Sequence, residues 1–255
     1  MALNGGAGAA GIAGRVRALA RLGFLAGGAC VTLGVLGLRA RKRQPPVDGT
    51  VRVTQLWGRS MLSLLGVELE QEGPRPPPGS MVVSNHRSYL DIPALVSLVP
   101  SLFVAKQEVG RWPLLGRAAD LSGTIFVRRD DRWSGARAAR AIRRALRRRQ
   151  TVTIFPEGTT FEGPGVLPFD PGCFRLASLM RMPVVPVALE YGRAQDAWTD
   201  PDDGTFVGHF LECLSQRKVR VRVAFGAPLE AGDPDELRLR AQRWIEAHLR
   251  RPGAA

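Results

Sequence analysis

"VVSNHRSYLD" (residues 82–91) carries an apolar run directly into Asn85-His86-Arg87-Ser88 and then a carboxylate at Asp91. The run is too short for a helix, and helical spacing takes over across 88–98, so the chain turns here from a strand into a helix. The same alternation recurs downstream. Short β-rich runs lie at 81–84, 102–105, 124–127, 152–155, 184–189 and 219–225, and most lack polar alternation, as expected of strands covered on both faces. Helical patterns separate them at about 88–98, 109–120, 134–149 and 172–181, with a last one at 234–250. Before the first strand, 55–69 has helical spacing and "EGPRPPPG" (72–79) is a Pro-rich breaker. The pattern predicts an α/β fold, a layered mixed and mainly parallel sheet flanked by helices. Ligands of such sheets collect where strands end and helices begin.

A chain of 255 residues can bury one sizeable core. The expected organisation is a catalytic-sized domain over 51–255 preceded by a distinct segment over 1–50. Lys+Arg number 36 against 23 Asp+Glu, a formal charge of +13 that favours a polyanionic partner: nucleic acid, an anionic bilayer or phosphorylated substrates. Nearly all of that charge is arginine, since lysine occurs only at 42, 106 and 218; a GC-rich coding bias is the plain alternative. Cys30, Cys173 and Cys213 are scattered, and His86, His209 and His248 show no metal spacing, so neither a disulfide framework nor a metal is expected. A reducing, cytoplasmic compartment fits.

"LGFLAGGACVTLGVLGL" (22–38) is uncharged and mostly apolar, with Arg15, Arg17 and Arg21 before it and "RARKR" (39–43) after it. At 1.5 Å per residue it reaches roughly 25 Å, the short end for a bilayer span. Basic flanks on both sides suit a membrane-associating helix that lies on or dips into an anionic leaflet, leaving the rest of the chain on the cytoplasmic face of the cell membrane. In "SGARAARAIRRALRRRQ" (134–150), Ala138, Ile142, Ala145 and Leu146 recur at helical spacing, so one side packs and arginines line the other. Without a groove-reading motif or stacking aromatics it is not read as nucleic-acid binding. A solvated face and a membrane-facing one both remain open.

Four clusters carry chemistry. In the first, Ser88 and Asp91 have the spacing of a capping box, which explains them but not Asn85 or His86. The alternative is that the Asp91 carboxylate returns onto the His86 ring, fixing its tautomer so that the other nitrogen can take a proton from a hydroxyl. The second is "TVTIFPEGTTFEG" (151–163), a strand entering the tight turn Pro156-Glu157-Gly158-Thr159. The third, "GTIFVRRD" (123–130), sets Arg128 and Arg129 after a strand, and the fourth, "FVAKQEVGRWPLLG" (103–116), does the same for Lys106.

Together these segments resemble the glycerolipid acyltransferases, specifically the bacterial 1-acylglycerol-3-phosphate acyltransferases. "NHRSYLD" is similar to their His-x4-Asp block, "GTIFVRR" to the second block, "FPEGT" (155–159) to the third and "VVPV" (184–187) to the fourth, over about residues 80–190. The resemblance implies that His86 and Asp91 are catalytic. It also implies that Lys106 and Arg129 bind the acceptor phosphate, and that Glu157, Gly158 and Thr159 shape the acceptor site. The implied reaction moves an acyl group from acyl-CoA or acyl carrier protein to a lyso-lipid hydroxyl at a membrane surface, with no cofactor and no nucleic-acid partner. No Gly-x-Ser-x-Gly elbow is present, so no acyl-serine intermediate is expected. Thr160 departs from the basic residue that many members carry, and relatives acylating other lyso-lipids, such as lyso-ornithine lipid, share the blocks. A thioesterase using water at the same pair, and a non-enzymatic membrane binder, are the alternatives.

Overall fold

A computed structural model describes residues 5–40, 47–111, 115–128, 131–161, 163–192, 214–216 and 218–249. In chain order the elements are α1 (Gly5–Ala40), α2 (Val47–Leu65), β1 (Val67–Glu72), β2 (Met81–Ser84), α3 (Asp91–Leu98) and β3 (Ser101–Lys106). After a 3-10 turn (Gln107–Arg111) come α4 (Leu115–Leu121), β4 (Ile125–Val127), α5 (Arg132–Arg147), β5 (Thr151–Ile154) and α6 (Gly172–Met180). Then follow β6 (Val184–Tyr191), β7 (Val219–Phe225) and α7 (Pro234–His248). The strands form one sheet in the order β1-β7-β6-β2-β5-β3-β4. β4, β3, β5, β2 and β6 are mutually parallel, while β7 runs antiparallel to β6 and parallel to β1.

Strand alternation divides the core into two layers. Val82, Phe103, Val185, Val187, Leu189, Val221 and Val223 face Leu65 of α2 and Leu90, Ala94 and Leu95 around α3. Met81, Val83, Val152, Val184, Ala188 and Ala224 face α5, α6 and α7 on the other side. Both faces are covered, which is why these strands read as unbroken apolar runs. On α5 the packed residues are Ala138, Ile142, Ala145 and Leu146, the set its periodicity predicts. Helix α2 can lie close on α3 because residue 58 is glycine; a Cβ there would stand 2.6 Å from Val96 Cγ1 and 3.0 Å from the Pro93 carbonyl oxygen.

One element differs from expectation. The helical pattern over 55–69 overruns a boundary: α2 stops at Leu65, Gly66 takes φ 70°, and "VELEQE" becomes an edge strand. The edge is tied down by charge, because the buried Arg222 bonds Glu190 Oε2 on β6 at 2.8 Å and Glu72 Oε2 on β1 at 2.8 Å, and also donates to the His248 carbonyl.

The amino-terminal helix also departs from a purely peripheral reading. Ala18 belongs to the core, Arg17 donates to the Ser215 carbonyl at 2.6 Å, and Arg21 donates to the carbonyls of Leu214 at 2.9 Å and Gln216 at 2.6 Å. Two of the three arginines expected to flank a leaflet are therefore spent on the protein. Beyond them, Leu22, Phe24 and Leu38 are exposed, with Phe24 at 70%. The expected boundary at residue 50 falls inside α2. Among the described residues, no helix is long and apolar enough to cross a membrane.

Candidate active site

Because five strands are parallel, their carboxyl ends share one edge of the sheet, and the blocks singled out in the sequence leave from four neighbours there: β2, β5, β3 and β4. Ser84 ends β2. The next residue, Asn85, is fully buried and continues the ladder with its side chain, donating to the Leu189 carbonyl at 2.9 Å and accepting from Leu189 N at 2.8 Å. That pairing carries β2 one residue further and delivers His86 to the edge.

His86 Nδ1 lies 2.8 Å from Asp91 Oδ2. The same oxygen accepts from Arg87 N at 2.6 Å and Ser88 N at 2.9 Å, while Oδ1 accepts from the Tyr191 hydroxyl at 2.6 Å. The carboxylate is fully buried and the imidazole side chain is 18% exposed. Capping and orienting thus coexist: Asp91 returns to the backbone of Ser88 as a capping box would, and it holds the ring as well. With Nδ1 as the donor to Asp91, Nε2 is unprotonated and able to accept a proton; among the described residues it has no hydrogen-bond partner. The ring stacks on Phe155 at 4.1 Å and 14°, and Phe155 stacks in turn on Phe103 at 6.1 Å.

The turn after β5 supports the same residue from behind. Gly158 N donates to the Phe155 carbonyl at 3.0 Å, with Pro156 in the second turn position and Gly158 at φ 67°, a conformation that favours glycine. The buried Glu157 carboxylate accepts from His86 N at 2.7 Å and from Leu167 N at 2.8 Å. Burial raises the Glu157 carboxyl above its usual range, opposed by those two N–H donors and the positive charge of Arg87. Thr159 is exposed, with Gly158 partly so, one and two residues further along the turn.

Arg87, which the sequence did not single out, clamps the loop beyond. Its guanidinium donates to the carbonyls of Phe161 at 2.7 Å, Gly163 at 2.6 Å and Gly165 at 2.6 Å, while Phe161 N donates to the His86 carbonyl at 2.9 Å.

Lys106 is the last residue of β3 and is exposed. Extending the registers Phe103↔Thr153 and Val83↔Ile154 puts it level with Asn85, two strands and roughly 10 Å away. Leu102 and Val104 pack on the α5–α7 side, so alternation turns Lys106 toward that side too. Arg128 is exposed and bonds Asp131 at 2.6 Å; Arg129 lies outside the described residues. Burial pushes the Cys173 thiol up to about 12, which leaves it protonated and unsuited to nucleophilic attack. Among the described residues, no three His, Cys, Asp or Glu side chains are placed to hold a metal ion.

The family model for acyltransferases matches residues 66–190, which span the sheet from β1 through β6. A 1-acyl-sn-glycerol-3-phosphate acyltransferase of Neisseria meningitidis is 36% identical over 185 residues, covering 70% of this chain and 72% of that protein. A lyso-ornithine lipid O-acyltransferase of Pseudomonas aeruginosa is 33% identical over 252 residues, covering 92% and 94%. The crystal structure of the 1-acyl-sn-glycerophosphate acyltransferase of Thermotoga maritima superposes with a TM-score of 0.66 over 92% of this chain and 95% of that one; at 20% identity it speaks for the fold. Sequence blocks, sheet edge and relatives agree: the chain belongs to the glycerolipid acyltransferase family.

Proposed function

We propose that the protein transfers a fatty acyl group from a thioester donor, acyl-CoA or acyl carrier protein, to the free hydroxyl of lysophosphatidic acid, giving phosphatidic acid. The observation that carries this reading is the His86–Asp91 pair at 2.8 Å, with Nε2 left without a partner among the described residues. His86 Nε2 takes the proton from the acceptor hydroxyl as its oxygen attacks the thioester carbonyl. Asp91 stabilises the imidazolium, and the collapsing tetrahedral intermediate expels the thiolate, which recovers that proton. Lys106 and Arg129 are assigned to the acceptor phosphate, since arginine and lysine bind phosphate through charge-assisted bonds. Glu157 serves by fixing the backbone of His86, while Gly158 and Thr159 line the acceptor side of the turn.

The bilayer-borne acceptor is met through the exposed Leu22, Phe24, Val35 and Leu38 of α1, together with Leu56 of α2. Arg17 and Arg21 fasten α1 to residues 214–216, which precede β7 at the active-site edge, so the apolar surface begins beside the site. The double variant Phe24→Asn/Leu38→Asn should float less with anionic vesicles; unchanged flotation defeats this placement.

The near full-length match to the Pseudomonas lyso-ornithine lipid enzyme, and Thr160 in place of a basic residue, favour a second reading with that acceptor. Purified enzyme offered both acceptors with one acyl-CoA separates them. Lysophosphatidic acid is expected to react faster, and Arg129→Ala to raise its KM far more than that of the donor. Faster acylation of lyso-ornithine lipid overturns the first reading.

A further inference from the structure

Helix α5 carries a charge pattern that neither the fold nor the site explains. From Arg137 to Arg147 it contains no acidic residue, and Arg140, Arg143, Arg144 and Arg147 are all exposed, with Arg148 and Arg149 continuing beyond its end. Among the described residues, only Arg137 of this face meets a carboxylate, Asp131 at 3.4 Å. Like charges at i,i+4, as in Arg140–Arg144 and Arg143–Arg147, disfavour a helix. The helix dipole offsets this only for arginines in the last turn. Coding bias is a poor account, because α7 lies in the same layer and mixes its arginines with Asp235, Glu236 and Glu246, Arg238 standing 3.5 Å from Asp235. The α5 face is arranged for an anionic partner.

The fold indicates which one. α5 packs on the sheet face opposite α2 and α3, so an anionic surface against the α1–α2 side lies roughly 20 Å away through two layers. If the bilayer instead meets the active-site edge, α5 starts there but runs away from it, and Arg147 stands on the order of 20 Å back. Either distance exceeds the Debye length of about 8 Å at physiological ionic strength. A leaflet therefore does not account for most of these arginines.

The geometry points to α5 as the docking surface for an acidic acyl carrier protein that presents the donor thioester. This deepens the thioester-transfer reading of the site and rests on it. A stripe of arginines about 14 Å long from Arg140 to Arg149, unpaired among the described residues, suits an acidic protein surface better than the few phosphates of a coenzyme. The path to the reaction centre is continuous in charge. Arg128 N donates to Ser134 Oγ in the first turn of α5, and Arg128 is exposed beside it. The carrier would approach from the α5 side while the acyl chain of the lipid acceptor comes from the α1–α2 side.

The test uses the full-length enzyme with lysophosphatidic acid and two donors bearing the same chain, palmitoyl-CoA and palmitoyl-acyl carrier protein. The variants are Arg140→Ala/Arg144→Ala/Arg147→Ala, which keeps good helix formers on α5, and the corresponding triple glutamate. At low salt the alanine variant should lose about tenfold or more in kcat/KM with the carrier-protein donor, and the glutamate variant more, with the difference shrinking as salt rises. Activity with palmitoyl-CoA and flotation with anionic vesicles should stay near wild type. Equal losses with both donors, or lost vesicle flotation, would overturn the docking assignment, the latter in favour of a membrane contact. Unchanged kinetics with the carrier protein would also end it. Wild-type enzyme that transfers from neither donor would instead refute the underlying transfer reaction.

Discussion

The two ends of the active-site edge are built in opposite ways. Around β2 and β5 the polar atoms on and beside the proposed catalytic pair are held: Asp91 accepts four hydrogen bonds, Glu157 accepts two from backbone N–H groups, and Arg87 donates to three carbonyls. Around β3 and β4 the cations are exposed, Lys106 without an ion pair among the described residues and Arg128 bonded to a surface neighbour. A reacting group must be oriented before the substrate arrives, because rate depends on its geometry. A charge that captures a phosphate needs reach more than orientation. Substitutions at the first end should therefore change kcat and stability, and those at the second should change KM alone.

The largest effect is expected from His86→Ala, which removes the base and should cost on the order of 100- to 10,000-fold in kcat with the fold intact by circular dichroism. Near wild-type transfer would dissolve the distinction between the two ends. Asp91→Asn comes next. It turns a carboxylate that accepts from four donors into an amide that can accept at only one of its atoms, so turnover should fall steeply and stability should drop by about 1–3 kcal/mol. Normal turnover with a lowered Tm would assign Asp91 to capping alone.

Glu157→Gln sharpens the comparison, because it leaves the catalytic pair in place and loosens the backbone beneath it. We expect a smaller loss of kcat and a changed pH profile. Burial raises the Glu157 carboxyl above 4.5, so the folded state holds that proton more tightly than the unfolded chain. Its contribution to stability is thus complete below 4.5 and declines as pH rises through the raised folded value. Denaturation across that range should show the decline in wild type and a flatter curve in Glu157→Gln; parallel curves would exclude Glu157 as its source. Lys106→Ala should be mildest. Stability should stay within about 0.5 kcal/mol, and only KM for the phosphate-bearing acceptor should rise. A fall in kcat at unchanged KM would move Lys106 to the oriented end.

Much of this was legible before any coordinates, for a reason that also marks its limit. Strand-to-helix transitions announce themselves locally, so the α/β sheet, the packed stripe of α5 and the proximity of His86 to Asp91, five residues apart, could be read from spacing. β1 could not be, because Gly66 interrupts an apolar run whose alternation only becomes visible once the helix is known to stop at Leu65. Asn85, Tyr191 and Arg87 escaped for a different reason. Their partners lie 104, 100 and 74 to 78 residues away, and nothing local marks a side chain destined for so distant a partner. Arg17 and Arg21, two of the three arginines before residue 22, read as a leaflet flank until the fold supplied the carbonyls of 214–216.

The position of β7 between β1 and β6 also sets an order of events as the chain is made. Among the described residues β1 pairs with β7 alone, and Val67 meets Val219 only after the intervening 151 residues have been synthesised. Until then β1 is a strand with both edges open, the situation that invites pairing with the wrong chain. The five parallel strands all precede β7 in the chain, so β7 is the last of the described strands that becomes available to pair. Such a long-range pairing is slow to find. The segment that ends the wait, 214–216, is the one gripped by Arg17 and Arg21. A helix that precedes the whole sheet in the chain thus holds the docking point for the last of the described strands.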